Sequence, residues 1–243
     1  FNFIQIKPKD EGKKAYIHNT EAELFKHILS KIMVDDQNIW ITCDTKEKVT
    51  ELSRALSHYD HIKHLAITGP NQGMKDQAAF LSNPGEESKK YNVVIASSVI
   101  SSGLSIEHDH FDMVAGFFFG GTIKPTDAYQ MIGRVRRCKE FHLFLNQKQK
   151  TEIKAARLLL GKQQASVLED GKEAKVTQFS KLRSRMVENR YKAISNFANG
   201  LIWVLNSKCF DICRYESSMD DYESLVEHKE NLKQIKEDLN EER

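Results

Sequence analysis

Five short apolar segments are interleaved with helical patterns between residues 39 and 145. Each segment is a compact run bounded by polar or turn residues, as is typical of a buried strand. The segments are residues 39–43, 64–68, 91–96, 113–119 and 141–145. Because strands that alternate with helices usually form a parallel sheet with helices on both faces, the sequence predicts an α/β domain with a mostly parallel sheet.

The flanking regions have a different character. Residues 1–6 alternate apolar and polar side chains and predict a short strand, whereas residues 19–33 have the apolar spacing of a helix. Residues 150–168 and 176–207 also show helical patterns. Three parts are therefore expected: a lead-in strand and helix over 1–35, the α/β domain over 36–147, and an α-helical extension over 148–243.

Composition excludes several classes of protein. The chain has 243 residues, of which 40% are hydrophobic and 29% charged, as in a globular protein with a sizeable core. Its net charge of +2 does not by itself indicate nucleic acid, so any basic surface must be local. No apolar run approaches the roughly 18 residues of a membrane span. The four cysteines show no paired framework, and a cytoplasmic or nuclear location is expected.

The segment from Thr126 to Arg137 is rich in arginine. Thr126 is a good N-cap, so a helix is expected to begin there and to carry Gln130, Gly133, Arg134 and Arg137 on one face. Arginine binds phosphate oxygens in a bidentate manner and stays charged, so this face suits a phosphate group. A solvated basic helix is the alternative. Glycine inside a helix costs about 1 kcal/mol relative to alanine, which suggests close approach of a ligand or a second domain.

Four segments together resemble motifs of superfamily 2 helicases. Residues 130–137 read Gln-x-x-Gly-Arg-x-x-Arg and resemble motif VI, and residues 93–106 end in Gly-Leu-Ser-Ile and resemble motif V. Residues 39–56 resemble motif IV, and residues 67–70 resemble the segment after it. Because all four occur in the family's order, the chain is similar to the second RecA-like (P-loop-type) domain of such a helicase.

The amino-acid sequence of motif VI implies a more specific group within this family. Tyr129 to Arg137 is similar to replication helicases of the herpesvirus origin-binding type and to related viral and plasmid replication proteins. This implies a role in DNA replication. Motif V departs from the family pattern, because Ser105 stands where aspartate is common. The contact that couples nucleotide to nucleic acid is therefore in doubt.

The resemblance also implies roles for individual residues. Arg134 and Arg137 would be arginine fingers that reach the γ-phosphate of a nucleotide across an interdomain cleft, and Gln130 would orient the attacking water. Three residues would lie near the nucleotide: Gly103, Ser105 and Gly133. Four residues would contact the nucleic-acid backbone, without reading its sequence: Thr68, Gly69, Ser97 and Ser98.

Two motifs that ATP hydrolysis needs are absent from the sequence. There is no Gly-x-x-x-x-Gly-Lys-[Ser/Thr] phosphate loop and no Asp-Glu-x-[His/Asp] metal box. The chain is therefore not expected to hydrolyse ATP alone. ATP and Mg²⁺ would be bound mainly by an N-terminal RecA-like domain of the same protein, and the expected nucleic acid is single-stranded or duplex DNA, with RNA as the alternative.

Two other interpretations remain. His58, His61 and His64 lie close in sequence, as do Glu107 to His110, but neither group offers convergent ligands, so no metal site is expected. The functional alternative is a non-catalytic RecA-like module that binds nucleic acid or protein as a scaffold. The arginines argue against this alternative, because a scaffold needs no γ-phosphate sensor.

Overall fold

The computed structural model describes residues 12–99, 104–146 and 178–216, together with residues 230, 232–235, 237–239 and 241. Seven strands form one sheet in the order β3-β4-β2-β5-β6-β1-β7. The strands are β1 (Lys14–His18), β2 (Ile39–Cys43), β3 (His64–Ile67), β4 (Val93–Ser97), β5 (Met113–Phe118), β6 (Glu140–Leu145) and β7 (Asp211–Arg214). Every neighbouring pair is parallel.

Helices cover both faces of this sheet. They are α1 (Glu21–Met33), α2 (Lys46–Leu56), α3 (Lys75–Ser82), α4 (Pro84–Glu87), α5 (Pro125–Ile132), α6 (Gln178–Ser195) and α7 (Phe197–Ser207), with a 3₁₀ turn at Ser88–Lys90. Among the described residues, none of the helices is long and apolar enough to cross a membrane. The predicted α/β class with a mostly parallel sheet flanked by helices is confirmed.

The alternation of side chains along each strand produces two apolar clusters, one on each face. On β2, Ile39 and Ile41 pack with the buried residues of α1 and α2, such as Leu24 and Leu52. Trp40 points to the opposite face, where the buried residues of α3, α5 and α7 lie. All five residues of β2 are buried, as expected for the centre of a parallel sheet.

The regions outside the expected core contribute strands to the same sheet. The expected strand over 1–6 and the expected helix over 150–168 lie outside the described residues. β1 and β7 were not predicted, and β7 makes the C-terminal part more than a helical extension. The single helix expected over 176–207 is divided into α6 and α7 at Asn196. The expected boundaries at 36 and 147 remain predictions.

Close packing fixes α7 against α5. A Cβ atom at Gly200 would lie 2.7 Å from Cγ of Pro125, so only glycine allows this approach. The neighbouring side chains Ala198 and Leu201 are buried in the same contact region as Ala128. The C-terminal helix therefore supports the beginning of α5, the helix that leads to the arginine segment.

Candidate functional site

The arginine segment is not one long helix. α5 begins at Pro125, with Lys124 rather than Thr126 as its N-cap, and the Lys124 N–H donates to Oδ2 of Asp127 at 3.2 Å. The helix ends at Ile132. The expectation of one helical face is therefore wrong for three of its four members: Gly133, Arg134 and Arg137.

Gly133 caps the C-terminal end of α5. Its N–H donates to the Tyr129 carbonyl at 3.0 Å and closes the last turn, with φ −78° and ψ 6°. A Cβ atom at this position would lie 3.2 Å from the same carbonyl oxygen, which is tight. Gly133 is thus a C-cap and not an interior helical residue. The free-energy cost of placing glycine inside a helix therefore does not apply to it.

After Gly133 the chain pairs with the motif V segment. Val135 and Ile106 form a parallel bridge, in which the Ile106 N–H donates to the Arg134 carbonyl and the Arg136 N–H donates to the Ile106 carbonyl, both at 2.9 Å. Ile106 and Val135 are both buried. Burial of these two side chains and the two backbone hydrogen bonds together favour the bridge over another helical turn. We call the paired segments 104–107 and 133–137 the arginine junction.

Arg134 is the innermost guanidinium of the arginine junction. It is half-buried, and its NH1 group donates to the Leu104 carbonyl at 3.1 Å. Burial, and then the charge of Arg136, lower the pKa of Arg134 from its ordinary value. The group still carries its charge at neutral pH, because that ordinary value is so high. A partly desolvated cation of this kind interacts strongly with an anion that reaches it.

Arg136 and Arg137 are exposed and contact different residues. Arg136 Nε donates to Oγ of Ser105 at 3.2 Å, and Ser105 in turn donates to Glu107 at 3.4 Å. Arg137 forms an ion pair with Asp109 at 3.1 Å, in which both side chains are largely exposed. Sequence reasoning did not single out Arg136, although the density of charge around it was a usable signal.

The structure brings only some of the predicted nucleotide residues together. Ser105 and Arg134 lie in the arginine junction, and Gly133 lies at its start. Gln130 lies on the exposed side of the last turn of α5. Gly103 falls outside the described residues, although its neighbour Leu104 is buried and accepts the Arg134 hydrogen bond.

The four residues predicted to contact nucleic acid lie at the ends of β3 and β4. These strands are parallel neighbours, so Thr68 and Ser97 leave the sheet at the same edge. A Cβ atom at Gly69 would lie 3.3 Å from Cγ2 of Val99, which brings the two loops into contact. The exposure of the four differs, because Gly69 and Ser98 are half-buried whereas Thr68 and Ser97 are buried.

A buried carboxylate holds the loop that leads into α5. Oδ2 of Asp44 accepts hydrogen bonds from the N–H groups of Phe119 and Gly120, at 2.8 and 2.7 Å. Thr122 Oγ1 donates to the Asp44 carbonyl at 3.2 Å. Gly120 has φ +72°, a left-handed conformation that favours glycine. Asp44 therefore positions the approach to α5, a role that its place after a strand did not reveal.

Members of both histidine groups considered from the sequence contact neighbouring elements in the described part of the chain. His64 Nε2 lies 3.0 Å from Oγ of Ser53, and His110 Nε2 lies 3.0 Å from the Tyr91 carbonyl. These rings thus hold neighbouring elements together. One other group of histidine and glutamate side chains could hold an ion, and it involves none of these residues.

A family comparison supports the assignment of this region. Residues 22–139 match the family described as "Helicase conserved C-terminal domain". The match includes nearly all of α1, the strands β2 to β5 with their helices, and the arginine junction, and it ends just before β6. Over these residues, which make up just under half of the chain, the protein is similar to that helicase domain. None of the curated proteins matches the chain.

Solved helicase structures are similar to the chain at low sequence identity. S. cerevisiae Dbp5 bound to RNA and ADP BeF3 is 16% identical, with a TM-score of 0.49, over 93% of this chain and 46% of that one. Domain 2 of the DEAD-box helicase Mss116p bound to an RNA duplex is 14% identical, with a TM-score of 0.44, over 89% and 69%. A DEAD box protein from Methanococcus jannaschii is 21% identical, with a TM-score of 0.40, over 55% and 35%. This chain thus spans about half of the Dbp5 chain.

Proposed function

We propose that this chain is the second motor domain of an ATP-dependent nucleic-acid helicase. The observation that carries the proposal is the parallel bridge between Ile106 and Val135. It joins the two segments that resemble motifs V and VI and concentrates guanidinium groups beside Ser105. In the proposed mechanism, Arg134 and Arg137 act as arginine fingers that stabilise the charge developing on the γ-phosphate.

ATP and Mg²⁺ would be held mainly by an N-terminal RecA-like domain of the same protein, since this sequence contains no phosphate loop. Closure of the two domains would bring the arginine junction to the γ-phosphate. Ser105 and Gly133, with Gly103 before them, would lie beside the nucleotide, and Gln130 would orient the attacking water. Before closure Arg137 is paired with Asp109, so closure would exchange this exposed ion pair for a phosphate contact.

The nucleic acid would bind at the loops that follow β3 and β4. Gly69 and Ser98 are the half-buried members of the proposed set and would offer backbone N–H and hydroxyl groups to phosphates. Thr68 and Ser97 are buried behind them and would support the two loops. Contacts of this kind position a strand without selecting a sequence.

The finer part of the proposal is a role in DNA replication. It is supported by the sequence of residues 129–137, which is similar to the corresponding motif of origin-binding and plasmid replication helicases. We infer DNA, single-stranded or duplex, as the nucleic acid that stimulates hydrolysis. Stimulation by RNA alone would contradict this part and leave the motor assignment intact.

The test is ATP hydrolysis by the full-length protein, with and without single-stranded DNA or RNA, in the natural sequence and in Arg134→Ala. We expect strand-stimulated hydrolysis that falls by about 10³-fold or more in the variant, with ATP binding retained. Lys139→Ala is the matched control, because Lys139 is an exposed cation just beyond the arginine junction. Hydrolysis that does not depend on Arg134 would favour the scaffold alternative.

A further inference from the structure

A cluster of histidines lies under α1 on the part of the sheet formed by β6, β1 and β7. We define the histidine cluster as His18, His27, Glu140, His142 and Tyr215. Glu140 and His142 are on β6, His18 ends β1, His27 is on α1, and Tyr215 follows β7. His18 and His142 are each only 2% exposed, so this is an interior arrangement and not a surface charge patch.

Three side chains of the cluster converge on one point. His27, Glu140 and His142 each offer one ligand atom, and these atoms all lie within 4.8 Å of one another. Nε2 of His142 lies 2.8 Å from Oε1 of Glu140. Nε2 of His27 is buried and has no hydrogen-bond partner among the described groups. Ligand atoms about 2.0–2.2 Å from a tetrahedral zinc ion are roughly 3.3 Å apart, so small side-chain movements would complete the geometry.

The other ring nitrogens are already engaged. Nδ1 of His142 lies 2.9 Å from Nε2 of His18, and Nδ1 of His27 lies 3.1 Å from the Tyr215 hydroxyl. Metal-binding histidines usually donate their second N–H to such a partner, which fixes the tautomer and directs the free nitrogen to the ion. In both rings Nδ1 has a partner outside the ligand set, so Nε2 is the nitrogen that faces the other ligands: in His27 it has no partner among the described groups, and in His142 it lies beside Glu140, itself a proposed ligand.

One set of proton positions leaves Nε2 of His142 free to bind a metal ion. If His142 donates from Nδ1 to Nε2 of His18, then His18 carries its proton on Nδ1, which lies 3.6 Å from Oε2 of Glu23. At this distance the two atoms are not hydrogen-bonded, and Oε2 of Glu23 accepts from the Asn19 N–H at 2.8 Å. The buried carboxylate of Glu23 thus lies near His18, which in turn contacts the ligand His142.

Burial favours the neutral form of two of the rings, His18 and His27. Burial, and then the charge of His142, lower the pKa of His18 to about 2. Burial, again followed by His142, lowers the pKa of His27 to about 4. Neutral imidazole is the form that binds metal, so His27 is already in the form that a metal ion would bind at neutral pH.

We propose that His27, Glu140 and His142 bind one Zn²⁺ ion. Two imidazoles and one carboxylate are a recognised zinc ligand set with a fourth position open to water. The ion would tie α1 to β6, and through Tyr215 to the segment after β7, so its role would be to fasten the C-terminal part of the chain to the sheet. The competing arrangement is a metal-free hydrogen-bonded network, in which His142 donates from Nε2 to Glu140.

The test uses the complete 243-residue chain, stripped with a chelator and titrated with Zn²⁺ alone against a chromophoric competitor. We expect one equivalent to bind, and the affinity to fall by about 100-fold in His27→Gln and in Glu140→Gln. His58→Gln is the matched control, since His58 is exposed and lies outside the cluster. It should bind like the natural sequence.

Two further readouts separate a ligand role from a structural one. Tyr215→Phe keeps the ring but removes the hydroxyl, and we expect about 10-fold weaker Zn²⁺ binding. Added Zn²⁺ should raise the unfolding temperature of the natural sequence, but not that of His27→Gln. Far-UV circular dichroism in chelator checks that each variant is folded. If His27→Gln does not fold, the Zn²⁺ affinities of Glu140→Gln and Tyr215→Phe provide the test.

Two outcomes would overturn the proposal. The first is no stoichiometric binding by the natural sequence, and the second is equal binding by the natural sequence and the His27→Gln and Glu140→Gln variants. Either would assign the cluster to the metal-free network. Because no part of this test uses ATP hydrolysis, its failure would leave the proposed helicase function untouched.

Discussion

The arginine junction is a bridge outside the sheet, whereas the histidine cluster is built on three of its strands and α1, and the two are held in place by different means. Backbone hydrogen bonds across the Ile106–Val135 bridge fix the junction, and two of its three guanidinium groups remain exposed. In the histidine cluster, the hydrogen bonds run between side chains, and two of the rings are almost completely buried. The junction presents charge to a partner, whereas the cluster directs its polar atoms inward.

This difference separates function from stability. Exposed charges add little to the free energy of folding, since solvent screens them and their side chains lose entropy when paired. Buried polar groups are costly to disturb, because each loses its hydrogen-bond partner without gaining water. Substitutions in the arginine junction should therefore affect catalysis, and those in the histidine cluster should affect stability.

Arg137→Ala should give the largest effect. In the full-length protein we expect ATP hydrolysis to fall by about 10³-fold, because an arginine finger stabilises charge in the transition state. The same variant should change the free energy of unfolding by less than about 1 kcal/mol, since Arg137 and its ion-pair partner Asp109 are both largely exposed. Steady-state hydrolysis and urea unfolding measure the two quantities. A large loss of stability would show that the junction is structural.

His142→Ala tests whether the histidine cluster contributes to the stability of the fold. Its ring stacks on Tyr16 and His27, with centroids 4.7 and 4.2 Å apart, and bonds to His18. We expect a loss of about 2–4 kcal/mol in the free energy of unfolding, measured in chelator so that bound metal cannot contribute. His58→Ala, at an exposed position, should change it by less than about 0.5 kcal/mol. Equal effects of the two variants would contradict the structural role.

The contrast also explains what the sequence could reveal. The two segments of the arginine junction were singled out because each is a continuous stretch that resembles a motif, but their pairing was not predicted. The histidine cluster draws residues from four separate segments, and the hydrogen bond between His18 and His142 joins positions 124 residues apart. No spacing rule connects such positions before the sheet has brought β1 next to β6.

Tertiary pairing also accounts for the errors in local structure. The five apolar strands were predicted because their side chains are buried on both faces. β7 has exposed ends, at Asp211 and Arg214, and becomes a strand only by pairing with β1. Similarly, α5 stops at Ile132 because pairing with Ile106 buries Val135, an advantage that helical periodicity alone does not show.

Asp44→Asn should produce an intermediate effect. Asparagine keeps an oxygen that can accept from the N–H groups of Phe119 and Gly120, but it loses the charge that strengthens both hydrogen bonds. We expect about 1–2 kcal/mol of destabilisation, together with less than a 10-fold loss of hydrolysis as the loop before α5 loosens. Asp60→Asn, on an exposed turn, is the control for charge and should change neither quantity.

Asp109→Asn should have the smallest effect and gives the finest test of the comparison. Asp109 pairs with Arg137, but both side chains are largely exposed, so the pair should contribute no more than about 0.5 kcal/mol to folding and even less at high salt. If Arg137 leaves Asp109 to reach the nucleotide, hydrolysis should stay within about 3-fold of the natural sequence. A double-mutant cycle that combines Asp109→Asn with Arg137→Ala measures the interaction free energy between the two residues. A loss of more than 10-fold in Asp109→Asn would mean that the carboxylate positions the finger. The arginine junction would then rely on side-chain pairing, as the histidine cluster does, and the division between function and stability would fail there.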